Sequence, residues 1–224
     1  MVLKYDLACR FPSDRNTLAL DDQFLWGSAL MISPVLAEGI IEREIYFPYD
    51  AWYDYYTGEP IEWIGDRMTV QAPADTIPLH IRGGHIIPTQ GPAMNTLMSR
   101  QEPMGVIVAI GLNRKASGDL FWDDGESQDT VEKTTYSMVQ YSFVQDKLTV
   151  AVNNTSGRLT GMKLSEFEFL GVELKPESIL YNGGTIDSYT YDPATLKLTV
   201  NLDHNLITGL ELKLNKIWYN TVVV

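Results

Sequence analysis

The chain has 224 residues, of which 45% are hydrophobic and 21% are charged, a composition typical of globular domains. Its 17 basic and 29 acidic residues give a formal net charge of −12, so its surface would repel nucleic acid and anionic membranes, and we expect neither as a partner. The single cysteine, Cys9, excludes an internal disulfide and a zinc site built from several cysteines.

The amino-terminal part of the chain has little regular pattern. Its first ten residues lack the apolar core of a secretory signal peptide, so no export signal is expected there. Residues 15–26 favour a helical or irregular conformation, and Asp14 is a candidate N-cap for this segment.

The remaining apolar pattern predicts an all-β chain of two β-sandwich domains with little helix. Hydrophobic residues recur with a period of two, or in short continuous runs, and no window keeps helical spacing for three turns. The clearest strand is 197–202, where Leu198, Val200 and Leu202 alternate with polar residues. The predicted strands are 29–35, 44–47, 51–54, 68–71, 77–81, 86–88, 105–110, 117–122, 135–145, 147–153, 164–170, 177–181, 188–192, 197–202 and 209–214.

An aromatic run, Ala-Trp-Tyr-Asp-Tyr-Tyr at 51–56, has two interpretations. Together with Trp63 it could form a platform on which sugar rings stack, or it could pack in the core or between domains. Because side chains of a strand alternate between faces, we expect one alternating set of this run to be buried between layers. Core packing is therefore the favoured interpretation.

Three histidines, His80, His85 and His204, are candidates for metal binding or catalysis. His80 and His85 are five residues apart and lie on opposite faces if the segment is one straight strand. No nucleophile motif such as G-x-S-x-G accompanies them. We therefore expect ordinary strand or loop histidines.

Glycine and proline are concentrated in residues 82–104, which indicates a domain boundary. We expect the boundary between residues 82 and 92. The predicted domains are a first sandwich of residues 1–88 and a second sandwich of residues 89–224.

The stretch most suggestive of chemistry is Phe-Trp-Asp-Asp-Gly-Glu-Ser-Gln-Asp at 121–129, with four carboxylates. Such a cluster could bind calcium, as in a calcium-stabilised adhesion-type sandwich, or supply the acid and nucleophile of a glycosidase. However, the ligand spacing of an EF-hand loop is absent. Because Asp and Gly are common turn formers, a solvated hairpin tip is the favoured interpretation.

Three short segments favour tight turns, namely Asp-Gly at 124–125, Gln-Asp-Lys at 145–147 and Asn-Gly-Gly at 182–184. Asn153 and Asn154 each begin an N-x-[ST] glycosylation sequon, and the sequence does not decide between them.

Several segments, taken in order, resemble the carboxy-terminal region of α-glucosidases of glycoside hydrolase family 31. One of them is Gly-Asp-Leu-Phe-Trp-Asp-Asp-Gly-Glu at 118–126. The resemblance covers roughly residues 11–218, whereas the first ten residues do not look like the family. The segments are 11–14, 23–36, 46–48, 52–58, 71–73, 77–84, 86–88, 99–100 and 118–126.

The resemblance implies a non-catalytic region of a larger enzyme. In the family a (β/α)₈ barrel carries the catalytic Asp nucleophile and Asp acid, and a proximal and a distal β-sandwich follow it. The family's catalytic residues lie outside the matched region, so we assign no catalytic, cofactor-binding or metal-binding residue to this chain and expect it to be inactive alone. The implied partner is the catalytic barrel, and the parent family follows a secretory or lysosomal route.

The second candidate function is a free-standing carbohydrate-binding module, for which an α-glucan or malto-oligosaccharide would be the ligand. In the first interpretation, several apolar residues near the start of the matched region should face the barrel. If the barrel is absent, they should stay exposed or drive self-association; the alternative is that they form the core of the first sandwich. These residues are Phe24, Leu25, Trp26, Leu30 and Ile32.

Overall fold

The computed structural model describes residues 4–62, 64–153, 159 and 161–215. Within these residues the chain forms many short strands, two four-residue α-helices and two 3₁₀ turns, so the all-β prediction is confirmed. The elements are β1 (Lys4–Asp6), α1 (Leu7–Arg10), a 3₁₀ turn (Arg15–Thr17), β2 (Phe24–Trp26), β3 (Leu30–Ile32), β4 (Glu42–Phe47), β5 (Trp52–Asp54), β6 (Asp66–Gln71), β7 (Leu79–Arg82), β8 (His85–Gln90), α2 (Thr96–Ser99), β9 (Met104–Ala109), β10 (Ala116–Trp122), β11 (Ser137–Val144), β12 (Lys147–Asn153), β13 (Lys163–Leu170), β14 (Ser178–Tyr181), β15 (Gly184–Ile186), β16 (Tyr189–Asp192), β17 (Lys197–Asn205), a second 3₁₀ turn (Leu206–Thr208) and β18 (Leu210–Asn215).

The amino-terminal strands form two sheets around one core. A five-stranded sheet, which we call the first sheet, has the order β1-β2-β3-β7-β5. Strands β4 and β6 form a two-stranded sheet. One buried cluster contains Leu25, Met31 and Trp52 of the first sheet and Ile45 and Phe47 of the two-stranded sheet. This packing of sheet on sheet gives the first half of the chain its hydrophobic core.

The later strands form one eleven-stranded sheet, which we call the second sheet. Its strand order is β15-β14-β18-β12-β11-β10-β8-β9-β13-β17-β16. Buried residues from its two halves meet in a single core, so the sheet folds over on itself as a sandwich. The core includes Val106, Phe167 and Val200 from one half and Val139, Leu148 and Leu212 from the other.

The chain passes from the five-stranded sheet to the eleven-stranded sheet at the turn between β7 and β8. Strand β7 ends at Arg82 in the first sheet, and β8 begins at His85 in the eleven-stranded sheet. Gly84 has φ of +83°, a conformation that glycine adopts at no steric cost. A Cβ at Gly83 would lie 2.6 Å from the Cβ of Ala51, so a larger residue would not fit there. The division into domains of residues 1–88 and 89–224 stays a prediction.

Tyr53 joins the two parts of the structure. Its hydroxyl donates a hydrogen bond to the carbonyl oxygen of Ile110 at 2.6 Å. Its ring belongs to a buried cluster with Ile81 of the first sheet and Leu170 of the second. A Cβ at Gly171 would overlap the Tyr53 hydroxyl, so this contact requires glycine.

Each predicted strand overlaps an observed one, whereas β1, β2 and β15 were not predicted. The expectation of a helical or irregular conformation at 15–26 was wrong for Phe24–Trp26, because these residues pair with β3. It was right for Arg15–Thr17, where the Asp14 carboxylate caps the 3₁₀ turn by accepting the Asn16 N–H at 3.0 Å.

Two of the three predicted tight turns are confirmed. Gln145 and Asp146 both have positive φ between β11 and β12, and Asn182 and Gly183 have positive φ between β14 and β15. The prediction at 124–125 was wrong, because a loop of residues 123–136 separates β10 from β11. Among the described residues, no helix has the length and apolar character that crossing a membrane requires.

Candidate functional site

The outer face of β2 and β3 is a partly exposed apolar feature near the amino terminus. The register pairs Phe24 with Ile32, Leu25 with Met31 and Trp26 with Leu30. Leu25 and Met31 are fully buried in the core. The other four side chains point the opposite way and are partly or largely exposed. We call Phe24, Trp26, Leu30 and Ile32 the outer apolar face.

The outer apolar face is covered at one end and open at the other. Leu30 packs against the buried cluster of Tyr53 and Ile81, which belongs to the junction with the second sheet. Trp26, in contrast, is 54% exposed. The Lys4 ammonium lies 4.6 Å from the centroid of the Phe24 ring and adds a positive charge at the rim. Of the five residues predicted to face a partner, only Leu25 is fully buried in the core.

The acidic stretch 121–129 makes hydrogen bonds within its own loop. The Asp123 carboxylate accepts from the Gly125 N–H at 2.8 Å and from the Thr130 hydroxyl at 3.0 Å. The Asp124 carboxylate accepts from the backbone and hydroxyl of Ser127, the latter at 2.6 Å. These contacts fix the loop, and Asp123 and Asp124 line a surface pocket together with Arg100 and Trp122.

Arg100 fastens this acidic loop to the preceding segment, a contact that the sequence analysis did not anticipate. Its guanidinium lies 3.9 Å from the centroid of the Trp122 ring and donates to the Asp123 carbonyl oxygen. The available signal was that both 99–100 and 118–126 belong to the family resemblance. Across the described ranges, no group of three or more His, Cys, Asp and Glu side chains is placed to hold a metal ion.

The histidines lie in separate surroundings. His80 lies on β7 and His85 begins β8, and Gly83 and Gly84 separate these two strands. The His80 ring packs edge-on against Phe47 with centroids 4.7 Å apart, and burial lowers its pKa to about 4. Burial also lowers the pKa of His85 to about 4, and its Nε2 lies 2.7 Å from the Ser28 carbonyl oxygen.

His204 sits within a small hydrogen-bonded group in the second sheet. Its Nδ1 lies 2.6 Å from the Tyr181 hydroxyl, and its Nε2 lies 3.1 Å from the Thr208 hydroxyl. Burial lowers its pKa as well. The three histidines therefore take part in separate packing and hydrogen-bonding contacts and are not brought together.

The aromatic run at 51–56 is divided between core and surface. Trp52 and Tyr53 are both buried, and the Trp52 Nε1 donates to the Pro48 carbonyl oxygen at 2.9 Å. Tyr55 and Tyr56 are both exposed. The expected burial of one alternating set was wrong, because β5 ends at Asp54 and the chain turns there. Trp63 lies outside the described residues.

Cys9 is exposed on α1. Asn153, the first sequon residue, lies at the end of β12, and its side-chain amide donates to the Gln140 side chain at 2.7 Å. Asn154 lies outside the described residues.

Comparison with known proteins relates the chain to a family of glycosidases. Residues 5–87 match the family model "Glycosyl hydrolase family 31 C-terminal domain". Intestinal sucrase-isomaltase of Rattus norvegicus is 39% identical over 203 residues, which are 88% of this chain and 11% of that protein. Lysosomal alpha-glucosidase of Rattus norvegicus is 35% identical over 213 residues, which are 87% of this chain and 22% of that protein. The chain therefore spans only a small part of these relatives.

Solved structures share the fold. The glucosidase II alpha subunit in its DNJ-bound form superposes with a TM-score of 0.80 at 23% identity, over 95% of this chain and 26% of that one. A Flavobacterium johnsoniae GH31 dextranase complexed with glucose superposes with a TM-score of 0.77 at 21% identity, over 95% and 29%. The β-sandwich arrangement of this chain is thus also present within longer proteins.

Proposed function

We propose that the chain is the non-catalytic C-terminal β-sandwich region of an α-glucosidase, because residues 5–87 match the C-terminal domain model of glycosyl hydrolase family 31. Such an enzyme hydrolyses terminal α-linked glucose with retention in a (β/α)₈ barrel. The chain packs against this barrel and stabilises it. The match to only 11% and 22% of the two rat relatives supports a role as one region of a larger enzyme.

The observation that carries the proposal is the outer apolar face. Phe24, Trp26 and Ile32 lie on the face of the first sheet that points away from its core. Fully burying one large apolar side chain stabilises a complex by roughly 1.5–3 kcal/mol. Covering three side chains that are already partly buried would contribute a few kcal/mol, which suits docking against a large neighbouring domain.

The surroundings of the acidic loop support a non-catalytic role. A retaining glycosidase uses two carboxyl groups about 5–5.5 Å apart on either side of the scissile bond. Here the Asp123 and Asp124 carboxylates accept hydrogen bonds from Gly125, Thr130 and Ser127 of their own loop. A carboxylate that is needed to hold its loop is poorly placed to attack or protonate a substrate.

A binding experiment tests the docking. The 224-residue chain would be mixed with rat sucrase-isomaltase catalytic region from which the matching carboxy-terminal segment has been deleted, and association would be measured by sedimentation velocity. We expect a complex that Trp26→Ser weakens. The matched control is Tyr49→Ser, since Tyr49 is 73% exposed and is not part of the outer apolar face. Equal association of both variants would refute the docking role of this face.

The exposed Tyr55 and Tyr56 favour a second candidate, a free-standing carbohydrate-binding module. Such a module presents aromatic rings to solvent where sugars can stack. Binding of malto-oligosaccharides to the chain in the absence of any barrel is its direct test. Sugar binding at Tyr55 and Tyr56 would not by itself conflict with docking, because it involves different residues; only a free-standing state of the chain would.

A further inference from the structure

A cleft of about 280 Å³ lies between the loop after β5 and the outer face of the second sheet. Tyr55 and Tyr56 form one side of it, and Glu166 and Glu168 of β13 form the other. Ile107 of β9 supplies an apolar floor. The cleft thus combines aromatic rings, carboxylates and an apolar base in a space large enough for one sugar ring.

The aromatic side of the cleft is held in place by its own turn. The Asp54 carboxylate accepts the N–H groups of Tyr56 at 2.9 Å and Thr57 at 2.7 Å. Gly58, with φ of +78°, lies so close to the second sheet that a Cβ there would be 2.8 Å from the Leu170 side chain. The turn that carries the tyrosines therefore rests directly on the sheet that carries the glutamates.

The two tyrosines have different roles in this arrangement. Their rings meet edge to face with centroids 5.3 Å apart. The Tyr56 hydroxyl donates to the Ile77 carbonyl oxygen at 2.9 Å, which anchors that ring. Tyr55 is 37% exposed, and within the described residues its hydroxyl has no hydrogen-bond partner. Tyr56 is the more exposed ring, at 52%, but its hydroxyl is engaged, so the Tyr55 hydroxyl is the one left for a ligand.

Regular strand alternation places both glutamates on the cleft side of β13. The register of β13 shifts between Leu164 and Glu166 against both neighbouring strands. Because of this extra residue, Leu164 and Phe167 both point into the core. Glu166 is exposed on the outer face. Glu168 follows on the same face, about 6.7 Å further along the strand. Phe167 and Phe169, which alternate with the two glutamates, are buried in the core on the opposite face.

The charges in the cleft favour a ligand that donates hydrogen bonds. Glu168 is balanced by the Lys197 ammonium at 3.5 Å. Within the described part of the chain, Glu166 has no ion pair. An ionised carboxylate only accepts hydrogen bonds, so its natural partner here is a group with several O–H or N–H donors.

We propose that this cleft binds one glucosyl unit of an α-linked oligosaccharide. The apolar face of the sugar stacks on the Tyr55 ring, as aromatic side chains with a polar handle commonly do at binding surfaces. Its hydroxyl groups donate to the Glu166 and Glu168 carboxylates in charge-assisted hydrogen bonds. The choice of glucose as the sugar rests on the proposed function, whereas the position of the site rests on the cleft alone.

Isothermal titration calorimetry of the 224-residue chain with maltotriose tests the proposal without any barrel. Tyr55→Ala removes the stacking ring and Glu166→Gln removes the charged acceptor. Each should weaken binding by about ten-fold or more, since a hydrogen bond to a charged group contributes at least that factor and the loss of an aromatic platform is of similar size. The matched controls are Tyr49→Ala and Glu132→Gln, which change exposed residues outside the cleft and should bind as the parent does. Circular dichroism verifies that each variant is folded, and Glu166→Gln decides if Tyr55→Ala does not fold.

Two further ligands separate the alternatives. Cellotriose tests the linkage, and choline tests whether the cleft instead binds a cation between an aromatic ring and carboxylates. Maltotriose binding that both cleft variants reduce supports the proposal. Binding that neither variant changes, binding of choline without maltotriose, or no sugar binding at millimolar concentration overturns it. Because no barrel is present, failure of docking would not affect any of these outcomes.

Discussion

Acidification should destabilise this fold because two buried histidines resist protonation. Burial lowers the pKa of His80 and His85 from about 6.5 to about 4. Between these values the unfolded chain binds more protons than the folded chain, so the free energy of unfolding falls as the pH decreases. The contribution is fully present above pH 6.5 and is lost as the pH falls through 4.

The magnitude follows from the size of the shift. A pKa difference of one unit corresponds to about 1.4 kcal/mol, so each histidine contributes up to about 3 kcal/mol over the whole window. His80 is only 2% exposed, so solvent screens its charge very little; the nearby Asp54 opposes the effect of burial but is the smaller influence. A loss of this size is a large fraction of the 5–15 kcal/mol that stabilises a typical domain.

Urea unfolding at a series of pH values between 7 and 4 measures the effect. Carboxylates also titrate in this range, so the informative quantity is the difference in pH slope between the parent chain and the variants His80→Gln and His85→Gln. Each variant should lose less stability on acidification than the parent, whatever its stability at pH 7. Identical slopes for the parent and both variants would refute the reasoning.

Three further predictions concern the junction and the outer apolar face. Tyr53→Phe removes the 2.6 Å hydrogen bond to Ile110 and leaves a buried acceptor, so thermal unfolding should show a loss of about 1–3 kcal/mol; an unchanged stability would contradict this. Gly171→Ala places a methyl group against the Tyr53 hydroxyl at φ of +82° and should cost more than about 2 kcal/mol, part of which the double variant with Tyr53→Phe should recover; strictly additive effects would count against the contact. Trp26→Ser should reduce binding of a hydrophobic dye while changing stability by less than about 1 kcal/mol, since Trp26 is 54% exposed; unchanged dye binding would show that this side chain is not part of a sticky surface.

Local sequence patterns were sufficient to predict the position of most strands. At Lys197–Asn205 the alternation of Leu198 and Val200 with polar residues reflects one core face and one outer face, which any sandwich strand must have. The turn at Gln145 and Asp146 was also predictable from the sequence, because a two-residue hairpin needs residues that tolerate positive φ.

Features that depend on distant contacts could not be read from local sequence. Strand β2 forms because Leu25 pairs with Met31, and the loop of residues 123–136 is held by Asp123 and Thr130 and not by a tight turn. The cleft beside Tyr55 is completed by Glu166 and Glu168 of β13, more than 100 residues further along the chain. The alternation of Glu166 and Glu168 with buried phenylalanines predicts a strand, but it does not reveal which distant segment that strand faces.

The most direct test of the central claim is hydrolysis of an aryl α-glucoside by the 224-residue chain, alone and with the truncated rat sucrase-isomaltase catalytic region. The account predicts no turnover by the chain alone, and activity of the truncated region that rises when the chain is added and rises less with Trp26→Ser. Turnover by the chain alone that Asp123→Asn or Asp124→Asn abolishes would contradict the account, because the acidic loop would then be an active site and not a structural one.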